Sequence, residues 1–487
     1  MSSRMIIIAI VLIAIVAGAS LLIYRSEQSA SANRCQPLGD AKVLRSQLSK
    51  TTFDAMTEFG LPTPLRWPNA ITVAPDGSVW FGEESVPGVA HLFTNGTLVE
   101  YAWPISLPHL ERGVCATADI WGIALWNGMV WGTYMEANSI IGLNPTKDTF
   151  QIINISQSAS DPYTLTVGPD GDLWFTMISS PAQIGRISAG GTYTLLKFTN
   201  YTTFLPTGIQ FLNRSSAYYV GVNFPQDNGG LFDFDPQGSS SSVTPHEVGE
   251  NLDLQSPNAL ALSPTGIWIS EHGPARVVSF NLTSGVWTAY PTSTVSYYDT
   301  TLPYFIVANG SQIWFNEHYG NRIAVIDSSS ETLTEYSEAN PPATNGTQIG
   351  NALTIASGGT GIWFTAITAN DIGFANAAYS PSFSISPAES NELTLAAGQQ
   401  GSVELRVAGT ATGALAVLTS DSENFTSIPA AIGIAPSTNS IVANGTAQTL
   451  EVVVSVGSAL SPGEYTLDVT LTNGLISRTA FIFLTVS

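Results

Sequence analysis

The stretch from Pro68 to Glu84, PNAITVAPDGSVWFGEE, decides the fold. Two short runs of β-forming residues flank Pro75-Asp76-Gly77, a tight-turn sequence in which Gly takes the positive backbone angle. The second run centres on Trp80. The pattern returns from Ile120 (IWGIALWNGMVWGTYME), Pro162 (PYTLTVGPDGDLWFTM), Pro206 (PTGIQFLNRSSAYYVGV), Pro257 (PNALALSPTGIWISEH), Pro303 (PYFIVANGSQIWFNEH) and Gly350 (GNALTIASGGTGIWFTA). The central aromatics are Trp80, Trp131, Trp174, Tyr219, Trp268, Trp314 and Trp363, spaced by 51, 43, 45, 49, 46 and 49 residues. Units of that length hold four short strands, so residues 33–379 are predicted to form an all-β, seven-bladed β-propeller.

Later strands of a unit read like Ile184-GRIS or Arg322-IAVID, and outer ones like Thr97-LVEYAWP. The seventh unit lacks an outer strand after Ile372-GFANA. The segment Thr52-FDAMTEFGLP matches one, so the N-terminal strand is expected to complete the last sheet and remove an exposed edge. From residue 380 the pattern stops. Residues 380–487 contain no Trp and alternate with period two, as in Thr449-LEVVVSV and Arg478-TAFIFLTV. About seven strands in such a span suggest an immunoglobulin-like β-sandwich.

Residues 1–32 read as a membrane segment and linker. Met5 to Tyr24 carries no charge and lies between Arg4 and Arg25. As a helix, its 20 residues span about 30 Å, enough for a bilayer. The segment is read as one N-terminal transmembrane helix, with Ala30-Ser31-Ala32 as a cleavage site in the alternative, secreted form. Either way the rest of the chain is expected outside the cytoplasm. Cys35 and Cys115, the only cysteines, are there a disulfide or two buried thiols. Nine Asn-x-Ser/Thr sequons leave glycosylation open. The balance of 16 basic to 37 acidic residues, −21 overall, excludes a nucleic-acid partner because no basic stripe exists to neutralise phosphates.

Phrases such as PNAITVAPDGSVWFGE and WFNEHYGNRI resemble the repeat of the streptogramin B (virginiamycin B) lyase family over roughly residues 50 to 377. The turn from Ser461 to Tyr465 similarly resembles those of prokaryotic surface Ig-like modules. The lyase resemblance implies a propeller and a metal-dependent carbon–oxygen lyase that opens a cyclic depsipeptide by elimination, with Mg2+, a His general base and Glu near the metal. In the family the functional His follows the proline that starts an inner strand. Here those positions hold Asn69, Trp121, Tyr163, Thr207, Asn258, Tyr304 and Asn351, none of which is a base near neutral pH.

Residues after the inner-strand proline and those three and four beyond the aromatic share one face. Counting places Glu83 and Glu84, Glu271 and His272, and Glu317 and His318 there. The two Glu-His pairs are the sharpest feature. Read as a site, His272 and His318 are catalytic and Glu271, Glu317 and Glu83 hold a divalent ion, Mg or Zn. Read structurally, each Glu pairs with Arg276 or Arg322. Asn69, Trp121, Tyr163, Asn258, Tyr304 and Asn351 form the candidate ligand-binding set, with core packing as the alternative for the aromatics. Two function classes follow. One is a membrane-tethered binding module for a peptide, glycan or envelope protein at the cell surface. The other is a metal-dependent lyase or lactone hydrolase. A structural envelope component is a third idea.

Overall fold

The hairpin that opens the first repeat joins Pro68–Val73 to Val79–Glu83, and Gly77 at its turn takes φ of 83°. The structure, a computed structural model, describes residues 42–487 except 46–47, 64–65, 86, 105–118, 157–159, 225, 227, 238–241, 250–253, 294–300, 339–351, 420–428 and 430. The expected membrane segment, Cys35, Cys115 and Asn351 lie outside the described residues. Among the described residues no helix is long and apolar enough to cross a membrane.

The chain forms two compact units. The first holds the sheets of repeats one to four and seven. The first sheet runs Pro68–Val73, Val79–Glu83, Gly88–Leu92 and Leu98–Ala102, with Lys42–Arg45 added antiparallel at its edge. The seventh runs Ala352–Gly358, Gly361–Ala366 and Asp371–Asn376, and its outer strands are Met56–Gly60 and Ser49–Phe53. The edge left by the seventh repeat is therefore covered by the N-terminal segment.

The same defect recurs at the start of the inner strands. The ladder slips just after the proline or its counterpart, between Asn69 and Ile71, Pro162 and Leu165, Pro206 and Gly208, Pro257 and Ala259, Pro303 and Ile306, and Ala352 and Ile355. Such a bulge orphans a backbone N–H and re-aims a side chain. The residue two beyond the aromatic repairs it. Thr176 Oγ1 accepts from Thr164 N–H (3.0 Å), Ser270 Oγ from Ala259 (3.2 Å), Asn316 Oδ1 from Phe305 (2.8 Å) and Thr365 Oγ1 from Thr354 (3.1 Å). In the second repeat Thr133 Oγ1 accepts from Gly122 (2.9 Å). The first repeat has Gly82 at this position, where a Cβ would lie 2.8 Å from Ile120 and 3.0 Å from the Asn69 carbonyl. Asn69 itself does the job, its Oδ1 accepting from Ala70 N–H at 2.7 Å.

The second unit contains the sheets of repeats five and six and the C-terminal module. Repeat five runs Pro257–Ser263, Gly266–Glu271, Arg276–Phe280 and Trp287–Pro291. Repeat six runs Pro303–Asn309, Gln312–Glu317, Arg322–Asp327 and Thr332–Ser337, but its sheet does not end there. The long strand Ile476–Val486 pairs with Thr332–Ser337 in the register Thr332↔Ala480 to Tyr336↔Ile476, and carries Gly463–Thr472 on its other side. A second sheet, of Phe383–Pro387, Gln400–Gly409, Gln448–Val456 and Ile432–Pro436, completes a two-sheet module. Its buried Leu405, Val407, Leu450, Val452, Leu467 and Val469 follow from the period-two alternation. From residue 380 the described residues hold nine strands rather than about seven. The extra ones are short edge pieces, Glu392–Leu395, parallel to Ile476–Val486, and Ser440–Ile441.

The last strand also plugs the core of repeats five and six. Phe481 is buried with Tyr290, Ile326 and Leu333, its ring 5.2 Å from that of Tyr290. A chain truncated after Tyr379 should therefore expose this core and a bare sheet edge, and elute from size exclusion as aggregate; a soluble, monomeric product would contradict the pairing. Thr176→Val keeps the shape but orphans the Thr164 N–H, and urea unfolding should show a loss of about 1–3 kcal/mol.

Candidate functional site

Glu271 and Glu317 end the second strands of repeats five and six, directly opposite Arg276 and Arg322 across the antiparallel ladder. Opposed residues of a pair are close enough to interact, and these do. Arg276 Nε donates to Glu271 Oε2, and its Nη2 to Oε1 at 3.1 Å. Arg322 Nη1 lies 3.8 Å from Glu317 Oε2 and 3.4 Å from Glu335 Oε1. It also donates to Ser293 Oγ at 2.7 Å, and Ser293 donates to Glu335 through N–H (2.9 Å) and its hydroxyl. Both Glu271 and Glu317 side chains are 0% exposed. The structural alternative for these two carboxylates thus describes where they point, which is into their own sheets.

The histidines turn the other way. The His272 ring lies 4.5 Å from the Tyr304 ring and 6.2 Å from His318, and Tyr304 lies 5.9 Å from His318. Asn258 Nδ2 donates to the Tyr304 carbonyl at 3.1 Å, and Ser270 Oγ donates to the same atom at 2.5 Å. The bulge after Pro303 and the ties to its neighbouring repeat together hold Tyr304 between the two imidazoles. Burial, with His318 adding to it, pushes the His272 imidazole down to about 3. It is therefore a neutral ring at physiological pH, and its Nε2 is buried without a hydrogen-bond partner. The residues before Pro68, Pro162, Pro257 and Pro303 all have positive φ, from 42° to 53°. Proline disfavours this for its predecessor, so strain is stored at the same turn in four repeats.

The first unit repeats the carboxylate arrangement without the rings. Arg66 Nε donates to Glu100 Oε1 at 3.0 Å and lies 4.0 Å from Glu83 Oε1, while Arg45 Nε donates to Glu100 Oε2 at 2.8 Å. Glu83 is therefore a member of a buried charge cluster in its own sheet. Asn69 is buried, with Nδ2 donating to Glu84 Oε1 at 2.5 Å. Both its polar ends are spent on the fold, which is where the structure places this candidate ligand-binding residue. The Trp121 and Tyr163 rings lie 5.5 Å apart, tilted by 41°, with Tyr163 buried and Trp121 partly open. Burial, then Glu100 and Glu335 respectively, hold the Glu83 and Glu317 carboxyls well above the usual carboxylate range, against the pull of Arg66 and Arg322.

Sequence reading missed Glu100, Glu335 and Ser293, since nothing in one strand announces its partner two strands away. It also missed the bulge-capping set, although a polar residue two beyond the aromatic in five of seven repeats was there to be read. Neither Mg2+ nor Zn2+ fits the residues brought together. Mg2+ needs oxygen ligands in octahedral array, and the nearby carboxylates face arginines. A catalytic Zn2+ takes three protein ligands. No group of three or more His, Cys, Asp or Glu that could hold a metal ion occurs among the described residues.

Three carboxyls, Glu83, Glu317 and Asp468, are raised on folding, Asp468 by burial and then Glu335. The native state holds their protons more tightly than the unfolded chain. Their contribution is fully present below about pH 4 and is lost as pH rises through the folded values. Thermal melts from pH 5 to 9 should show a steeper fall for the natural chain than for Glu317→Gln, which stays neutral throughout; identical slopes would refute the raised Glu317.

No family model matches the chain, and no curated protein matches it. Solved structures do. Selenomethionine-substituted virginiamycin B lyase from Staphylococcus aureus is 23% identical, covers 66% of this chain and 98% of its own, with a TM-score of 0.53. A streptogramin B lyase is 23% identical over 69% of this chain and 99% of its own, at the same TM-score of 0.53. A catalytically inactive histidine-to-alanine variant of the Staphylococcus aureus enzyme with quinupristin is 22% identical over 66% and 98%, with a TM-score of 0.53. The repeats therefore adopt an all-β, propeller-like fold of the kind seen in virginiamycin B lyase.

Proposed function

We propose that this chain is a membrane-tethered, extracytoplasmic β-propeller with a C-terminal Ig-like module, and that it binds a peptide-like ligand without transforming it. The observation that carries this reading is the division of labour at the two Glu-His pairs. Glu271 is taken up by Arg276 and Glu317 is buried facing Arg322 and Glu335, both inside their own sheets, and a ring cluster of His272, Tyr304 and His318 remains, with His272 neutral. A general base is most effective with a pKa near the working pH, and His272, lowered to about 3, is far from it. Neutral imidazole and phenol rings instead suit stacking and hydrogen bonding to amide and aromatic groups. The quinupristin found with a lyase of this fold makes a cyclic peptide the natural first ligand.

That similarity also supports the second reading, a lyase. Titration calorimetry of the full chain with quinupristin, with chromatography for ring-opened product, separates the two. Binding without ring opening is expected, with His272→Ala and Tyr304→Ala each weakening it by about tenfold. Ring opening that needs a divalent ion and disappears in His318→Ala would establish the lyase. Binding unaffected by either first substitution would refute the proposed site.

A further inference from the structure

Of the seven central aromatics, six are sealed. Trp80, Trp131, Trp174, Tyr219, Trp268 and Trp314 are at most 3% exposed. Trp363 alone is partly open. Its ring is backed by Phe59, nearly parallel at 5.7 Å, and by Phe374 at 5.0 Å. In front of it, within the first unit, lies a cavity of about 300 Å3 that Phe93 and Thr94 also line. Phe93, whose ring lies 3.8 Å from that of His91, is 36% exposed. The cavity reaches the hairpin turn at Gly77, the end of Pro68–Val73 away from Asn69, and none of its lining residues belongs to the ring cluster described above.

One charge lines this cavity. Lys50 Nζ stands 5.9 Å from the centre of the Phe59 ring, in a chain whose net charge is −21. A cation at the rim of an apolar, aromatic-walled space favours an anion with a flat apolar body. The volume is at the low end for ligand sites, about 300 Å3, which limits the body to one or two rings. Few hydroxyls and amides line the space, which disfavours a sugar, whose hydroxyls would be buried without partners. We propose that this cavity, walled by Trp363, Phe59, Phe374 and Phe93, is a second binding site that takes a small aromatic carboxylate, with Lys50 holding the carboxylate.

Titration calorimetry of the full chain with indole acetate and with its neutral analogue indole ethanol tests this. The acetate should bind more tightly, by about threefold, and Lys50→Ala should erase that preference while leaving indole ethanol unchanged. Trp363→Leu should abolish both. Because that change could disturb the sheet, Thr94→Phe, a substitution at an exposed rim position, should also block both ligands while leaving the melting temperature unchanged. Absence of binding, equal affinity for both ligands, a preference that survives Lys50→Ala, or binding that survives Thr94→Phe would each overturn the proposal.

Discussion

A backbone N–H that loses its ladder partner must find another, and the architecture of the repeats turns on how that is done. The slip after the inner-strand proline throws the next residue toward one face, and in repeats three, five, six and seven a short polar side chain from the adjoining strand takes the freed N–H. Thr133, Thr176, Ser270, Asn316 and Thr365 fill this role while buried among apolar neighbours. The same groups reach further. Ser270 also donates to the Tyr304 carbonyl, and Thr133 to the Tyr163 carbonyl at 3.2 Å. One hydroxyl thus repairs its own strand and ties down the residue after the next repeat's inner-strand proline.

The charges follow from the same geometry. A Glu closing one strand sits opposite an Arg opening the next, so the two meet inside the sheet. Repeat five has a single Glu and forms a two-pronged pair with Arg276. Repeats one and six have a second Glu, Glu100 or Glu335, at matching register, opposite Ala90 and Ala324 respectively. In repeat six two carboxylates share Arg322, and in repeat one Arg66 and Arg45 both serve Glu100; burial and the second carboxylate raise Glu317 and Glu83. Such clusters lock register and stabilise little on balance, because desolvation offsets much of the attraction.

Much of this was legible beforehand. The aromatic spacing gave seven sheets, the strand near Phe59 was placed on the seventh, and the Glu-His pairs were located. Their chemistry was not legible, because which way a side chain points at a strand end depends on a one-residue bulge that pattern does not reveal. Asn69 illustrates this: its amide is required by Gly82, thirteen residues on in the chain and brought opposite only by the register Asn69↔Gly82. The bond between Thr332–Ser337 and Ile476–Val486 was equally hidden. Period two shows that a strand has a buried face and says nothing of which edge it will join, so the continuity of the C-terminal module with the sheet of repeat six was not readable from it.

The site depends on the imidazole of His272 being neutral beside Tyr304 and His318. Proton NMR of the five histidines, with His272 assigned by comparison with His272→Gln, measures this directly. The His272 ring should show no titration between pH 5 and 8; a midpoint near the ordinary value of about 6.5 would contradict the arrangement of the site.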